Sequence, residues 1–336
     1  MPVLDPDKQL TSDLWLDQPD ARAQVEARRR AGSLAPEDAA MLAAFVEDGF
    51  VRLDPGLPAE LFARFDDDLD RVWRERPAGV GVGLPLQSGR CSLRDVPDEA
   101  RSRHYRLADL HSFAAGAREL YVHAAIMRIV ELVFDQRAVA FQSLYFERGS
   151  GQGLHRDPMF VGTEPRSHLL GVWTALEDIT EGSGPLVYVP GSHRMPWFEF
   201  GPDEISAGSA SPEAEAAWRR HRDEAMADMG LEPRALTCPR GTVFVWHAGL
   251  LHGGAEITDP AATRRSFVVH YSTAANYTSR KVALRRAGRL RRSSWKVRTA
   301  ETSRLVEIDG FVGLESPFAP GATASRSGAR GAPGSV

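Results

Sequence analysis

From residue 139 onward the sequence changes character, and that change limits the folds open to this chain more than any other feature. Short runs rich in β-branched, aromatic and aliphatic residues occur at 139–147, 169–176, 186–189, 242–246 and 266–271, separated by turns containing Gly and Pro. No regular helix alternates with them, so they do not read as βαβ units; they read as an antiparallel sandwich or jelly roll. Upstream the hydrophobic period is helical. Residues 8–45 carry apolar positions three and four apart, with Ser33 or a neighbour opening a second helix that runs through Met41 to Phe45. A short strand follows at 49–53. Pro58 then opens a helix with Leu61, Phe62, Phe65, Leu69 and Val72 at helical spacing, and a further amphipathic helix covers about 113–133. Helices first and strands after give an α+β, mainly β architecture in which the N-terminal helices buttress one sheet.

A chain of 336 residues has ample capacity for a large core. We expect one domain over 1–315: a helical part at 8–135, a strand-rich core at about 139–275, and a basic extension at 276–315. A lid-like insertion at about 194–235 interrupts the core, with helix-favouring sequence at 213–229; a solvated surface excursion is the blander alternative. Residues 77–98, rich in Gly, Pro and charge, read as an irregular loop beside a site, and 316–336 as a disordered tail. A net charge of -4 points to neither a nucleic-acid nor a membrane partner. The only cysteines are Cys91 and Cys238, which make no disulfide framework and suit a reducing compartment. The first residues lack the basic and apolar regions of a signal peptide, and no apolar run approaches membrane-spanning length. A cytoplasmic location is expected. The arginine-rich stretch from Arg280 to Arg298 holds one aromatic, Trp295. It reads as a solvated face or as a partner for Asp66, Asp67 and Asp68, with a rim for an anionic substrate as the functional alternative.

The chemistry concentrates in Gly153-Leu154-His155-Arg156-Asp157-Pro158, answered far along the chain by Leu251-His252-Gly253-Gly254 and Arg264-Arg265. On a strand, the spacing of His155 and Asp157 would aim both side chains at one face. With a histidine from a distant strand they make the 2-His-1-carboxylate set that holds non-heme Fe(II) with open positions. The following arginine offers a planar fork of donors to a dicarboxylate, which a lysine cannot match. His-x-Asp alone says little; the ordered set carries the reading. A strand ending in Tyr145-Phe146 leads through Gly149-Ser150-Gly151-Gln152-Gly153 to His155, and Arg240-Gly241-Thr242-Val243-Phe244-Val245-Trp246 leads to His252.

Over roughly residues 40 to 275 the chain resembles the phytanoyl-CoA dioxygenase family of Fe(II)/2-oxoglutarate-dependent oxygenases. The pieces are Asp48-Gly49-Phe50-Val51, His155/Asp157, Pro190-Gly191-Ser192-His193, Gly241-Thr242-Val243-Phe244 before His252-Gly253, and Arg264-Arg265. The resemblance implies a double-stranded β-helix, the cupin-like jelly roll, with His155, Asp157 and His252 as iron ligands. Arg264 would anchor the distal carboxylate of 2-oxoglutarate. Strand alternation sends Arg265 to the other face, and Arg264 would share an inward face with Ser266, Val268 and His270. Trp173 stands where the family places an aromatic beside the co-substrate, its bland alternative being a core residue. Gln142, on the inward side if Leu144 and Phe146 share its face, would be a polar contact for the 2-oxoglutarate, and Tyr145, Ser266 and His270 are further candidates for the pocket or for contacts behind the ligands. The family's Lys-Pro-Pro-like segment before His-x-Asp is replaced here by Glu147-Arg148-Gly149, so no lysine contact is carried over. Asp157 is present where halogenating relatives lose the carboxylate, which favours hydroxylation.

The implied reaction consumes O2 and 2-oxoglutarate and releases succinate and CO2 while a small-molecule metabolite, plausibly of specialised metabolism, is oxidised. An anionic or carrier-bound substrate fits the basic stretch. Desaturation, cyclisation or epimerisation at the same centre stays open. So do a cupin-type metalloenzyme without 2-oxoglutarate and a non-catalytic binding protein. His193 reads as a structural turn residue, and His168 and His247 as core histidines or as hydrogen-bonders behind the metal ligands.

Overall fold

The computed structural model describes residues 14–83, 91–102, 104–161, 163, 165, 168–200, 207, 210–277, 304–316 and 319. Two helices, α1 (Ala21–Arg30) and α2 (Pro36–Asp48), open the described chain. Pro36 sits in the first turn of α2, where a missing N–H costs nothing. Gly49, at φ 77°, ends α2 by donating its N–H to the Phe45 carbonyl, and strand β1 (Phe50–Leu53) starts at once. Helix α3 (Ala59–Glu75) buries the stripe that its spacing announced, Leu61, Phe62, Phe65, Leu69 and Val72.

The segment expected to be an irregular loop carries strands β2 (Gly81–Gly83) and β3 (Cys91–Ser92), and β4 (Arg106–Ala108) follows beyond it, between β2 and β5. The helix expected at 113–133 is two helices, α4 (Ala115–Tyr121) and α5 (Ala124–Phe134), separated at Val122 and His123. A Cβ on Gly116 of α4 would lie 2.6 Å from the Phe65 backbone, so α4 nests directly on α3.

The core strands are β5 (Ala138–Phe146), β6 (Leu170–Ala175), β7 (Leu186–Tyr188), β8 (Arg234–Leu236), β9 (Val243–His247), β10 (His252–Gly254) and β11 (Ser266–Thr273). Helix α6 (Pro212–Asp228) occupies the insertion, its Ser211 N-cap accepting from Ala214 N–H. The chain returns in a hairpin of β12 (Arg304–Ile308) and β13 (Phe311–Glu315). Among the described residues, ten strands form one sheet, with β1-β9-β6-β11-β5-β4-β2-β3 as its main order. Within it β13 runs parallel to the start of β5, so part of the expected basic extension is a structural edge. The Arg280–Arg298 stretch and most of the tail lie outside the described residues. Asp66 pairs with Arg265, and Asp68 with Arg71. A second, three-stranded sheet has the order β10-β7-β8.

Strand parity divides the apolar residues into two cores. Phe267, Val269, Tyr271, Val172, Val243 and Val245 face the helices and join Phe65, Leu69 and Val130 in the larger core. Trp173, Phe244, Trp246 and Val268 face the other way and pack against Leu186, Leu236 and Tyr188 of the small sheet. The helices thus buttress one face of the large sheet while the site lies between the sheets. Among the described residues no helix is long and apolar enough to cross a membrane.

Candidate metal centre

His155 and Asp157 do not share a regular strand. His155 makes an isolated antiparallel bridge with His252, and Asp157 begins a 3-10 turn, Asp157–Met159. The bridge brings the two histidines together: His155 N–H donates to the His252 carbonyl at 2.9 Å, and His252 N–H returns the bond at 3.0 Å. Ligand atoms of His155, Asp157 and His252 all lie within 4.8 Å of one another. Each imidazole has its Nδ1 against a carbonyl, His155 on Gly153 at 2.9 Å and His252 on Leu250 at 3.0 Å. A carbonyl only accepts, so both Nδ1 atoms carry the proton and Nε2 is the atom each ring has left for the trio.

Charge is arranged to match. Burial and the neighbouring His252 imidazole lower the His155 pKa to about 4, keeping that ring neutral at neutral pH. Burial opposes charge on His252, but the Asp157 carboxylate beside it prevails and raises its pKa. Burial would likewise raise the Asp157 carboxyl, yet the imidazoles of His252 and His270 hold it well below the usual carboxylate range. One carboxylate and two Nε2 donors on one side of a buried cleft form the donor set that suits a divalent transition metal.

Beside this trio lies a second group of polar side chains with unmet hydrogen-bonding capacity. Nε and Nη1 of Arg264, Oγ of Ser266, Oε1 of Gln142, Nε1 of Trp173 and both ring nitrogens of His270 are buried without a hydrogen-bond partner. Register explains their convergence, because Ser266 pairs with Phe146 and Ala175, Val268 with Trp173, and His270 with Gln142 and Gly171. All the inward positions of three adjacent strands therefore meet. Arg264 is only 2% exposed and burial lowers its pKa to about 10. Buried polar groups are normally satisfied, so this cluster has the chemistry of a cradle for an anionic, oxygen-rich ligand.

The two arginines separate as alternation requires. Arg265 points outward, ion-paired with Asp66 of α3 and donating to the Tyr145 hydroxyl at 3.3 Å. That geometry corrects one expectation. Tyr145 lies on the outer face of β5, its hydroxyl donating to Glu147 at 2.6 Å and its ring near Phe65, and it does not reach the site. The cause is parity: Tyr145 pairs with outward Phe267, and Gln142 with inward His270. His168 stacks on Phe134, while His247 pairs with Asp17 at 3.1 Å and His193 lies 3.3 Å from the Val46 carbonyl, all away from the ligand trio.

Sequence reasoning missed two residues. Trp246 on β9 donates its Nε1–H to Asp157 Oδ2 at 2.8 Å; its inward parity was legible, but its partner was not. Arg156, between the ligands, is fully buried and donates to the carbonyls of Ser192, Met195 and Pro196 at 2.8 to 3.0 Å. It thereby ties the ligand segment to the Pro190-Gly191-Ser192-His193 turn. Leu251 N–H also bonds Ser192 Oγ at 2.8 Å, so one turn braces both halves of the centre. A cavity of about 200 Å³ opens nearby, lined in part by Gly83, His104, Arg106, Phe146, Gly149 and Gln152.

The family profile described as Phytanoyl-CoA dioxygenase (PhyH) matches residues 45–266. The peroxisomal phytanoyl-CoA dioxygenase of Homo sapiens is 21% identical over 250 residues, covering 68% of this chain and 67% of its own. Phytanoyl-CoA dioxygenase domain-containing protein 1 of Danio rerio is 41% identical over 60 residues, 17% of this chain and 21% of that protein. The chain spans from about a fifth to just over half the length of the first relatives it matches. Among solved structures, the epimerase SnoN in complex with Fe3+, alpha ketoglutarate and nogalamycin RO superposes with a TM-score of 0.56 at 17% identity. That match covers 83% of this chain and 98% of SnoN, and it is a likeness of fold. With the profile covering about two thirds of its length and a jelly roll beneath it, this chain belongs to the phytanoyl-CoA dioxygenase family.

Proposed function

We propose that this protein is an Fe(II)- and 2-oxoglutarate-dependent dioxygenase that hydroxylates a small-molecule metabolite. The observation that carries the proposal is the buried guanidinium of Arg264, whose Nε and Nη1 have no hydrogen-bond partner, beside a 2-His-1-carboxylate trio. Nε2 of His155, Nε2 of His252 and the Asp157 carboxylate hold the metal. Arg264 receives the distal carboxylate of 2-oxoglutarate, with the Ser266 hydroxyl one position along the same face. Gln142 and Trp173 border the co-substrate, and His270 lines the space between it and Asp157. When bound, iron with 2-oxoglutarate and O2 supplies the oxidising chemistry; the protein supplies orientation and keeps water out.

Substrate approaches past Phe160, which is 51% exposed and stands edge-on to the His155 ring at 5.3 Å. His104 and Arg106 on the cavity wall suit an anionic or carrier-linked substrate. SnoN, solved in complex with Fe3+, alpha ketoglutarate and nogalamycin RO, supports a substrate from specialised metabolism. Because SnoN is an epimerase on this fold, epimerisation is the second reading, and incorporation of label from 18O2 separates the two.

Residues 1–315 act as one domain, a view supported by the core that runs from Leu14 through the helices to Tyr271 and by the β13 edge on β5. Residues 194–235 cover the site, supported by the packing of Trp218 on α6 against Met159, Met195 and Leu251. Two free thiols suit the cytoplasm. The test is succinate release from purified protein given Fe(II), 2-oxoglutarate and O2 against a substrate panel. Release that requires all three and vanishes in Asp157→Ala supports the proposal. Turnover that ignores 2-oxoglutarate would replace it with a cupin-type enzyme.

A further inference from the structure

The two oxygens of Asp157 face different partners. Oδ1 lies 3.5 Å from His252 Nε2, on the side where the metal-binding lone pairs converge. Oδ2 accepts the Trp246 indole N–H at 2.8 Å and lies 3.5 Å from His270 Nε2. The indole is 2% exposed and its ring centre is 4.8 Å from that of His252, so it touches two ligands at once. Space for it is made across the sheet. Trp246 pairs with Gly171, and a Cβ on Gly171 would fall 2.2 Å from the indole carbons. Any side chain at 171 evicts the ring, which makes Gly171 and Trp246 a matched pair.

We infer that Trp246 is a positioning residue that holds Asp157 to ligation through Oδ1 alone, an inference that rests on the metal centre proposed above. A carboxylate can bind a metal through one oxygen or both. With Oδ2 held by a short, buried, charge-assisted hydrogen bond, rotation to a two-oxygen mode would weaken that bond. The consequence is chemical. A metal held by two imidazoles and one carboxylate oxygen would keep open positions for a chelating keto acid, and a second oxygen from Asp157 would take one of them. Outer partners of metal ligands typically change metal affinity 10–100-fold when removed.

The experiment is an anaerobic titration with Co(II), a redox-stable probe, followed by its visible absorption, then by addition of 2-oxoglutarate. Trp246→Phe removes the N–H and keeps an apolar ring; Gly171→Ala keeps the N–H and displaces the ring. Both variants are expected to bind Co(II) about 10–100-fold more weakly and to show an altered absorption band. A smaller spectral response to 2-oxoglutarate is expected as well, with circular dichroism showing a folded chain. If wild type binds Co(II) and Trp246→Phe matches it in affinity and band shape, the inference is overturned while the metal centre stands. Should Trp246→Phe fail to fold, Gly171→Ala decides: a wild-type band there overturns the inference. Wild type that binds no Co(II) would overturn the metal centre and this inference with it.

Discussion

Arg264→Met should separate stability from function in a way few substitutions do. In the absence of co-substrate the guanidinium is a buried cation, only 2% exposed, with two nitrogens lacking partners. Burial lowers its pKa from 12.5 to about 10. At about 1.4 kcal/mol per pKa unit, the charged side chain costs the folded state about 3 kcal/mol. The sign follows from linkage: a base whose folded pKa is depressed destabilises fully below that pKa, so the cost is present at neutral pH. Methionine has a similar reach and no charge. The metal-free variant should therefore melt no lower than wild type, and up to about 6 °C higher at roughly 2 °C per kcal/mol for a chain of this size. Loading closes most of that gap. Wild type with Fe(II) and 2-oxoglutarate at a hundred times its Kd should gain about 2.7 kcal/mol, and Arg264→Met should gain from the metal only. Arg265→Met should do the opposite, losing its ion pair with Asp66 while keeping the response to 2-oxoglutarate. Differential scanning fluorimetry with and without ligand reads all of this. Loss of 3–5 kcal/mol in metal-free Arg264→Met, as for a broken buried pair, would refute the reasoning. So would a retained ligand response there coupled to its loss in Arg265→Met.

Three further outcomes follow from the same geometry. Tyr145→Phe removes hydrogen bonds to Glu147 and Arg265; it should cost about 1–2 kcal/mol in denaturant melts yet leave Co(II) and 2-oxoglutarate binding unchanged. Arg156→Met strands three carbonyls, so it should lose at least about 2 kcal/mol and weaken Co(II) binding through the turn that braces both histidines. Burial, with His247 and Arg194 nearby, lowers the His193 pKa to about 3. Between that value and the unfolded pKa of roughly 6.5 the unfolded chain binds the extra proton, so stability falls as pH falls through this window. Metal-free protein should lose about 1 kcal/mol to this group by pH 5.5, and His193→Asn should flatten that part of the curve.

The elements that hydrophobic period alone can specify were legible. The strand run at 266–271 proved to be Ser266–Thr273, and that at 169–176 proved to be Leu170–Ala175, because both faces of each strand are buried and the apolar run is continuous. Parity along β11 also carried the choice of Arg264 over Arg265 as the inward arginine, since a period of two leaves no third option. What could not be read depends on contacts distant in sequence. Strands β2, β3 and β4 are two or three residues long and exist because β5 offers an unpaired edge, which no local pattern records. The seating of α4 on α3 needs the approach of Gly116 to the Phe65 backbone. Asp157 left the expected strand because Pro158 cannot donate to a ladder, and a 3-10 turn took its place. The Trp246–Asp157 bond joins residues brought together only by the closed jelly roll.

The most direct test of the central claim is an anaerobic titration of the purified protein with Fe(II) and 2-oxoglutarate, watching the weak visible charge-transfer band of the chelated pair. The account predicts a band that needs both components, disappears in His155→Ala, and requires far more 2-oxoglutarate in Arg264→Met. Tight metal binding with no band on adding 2-oxoglutarate would contradict it.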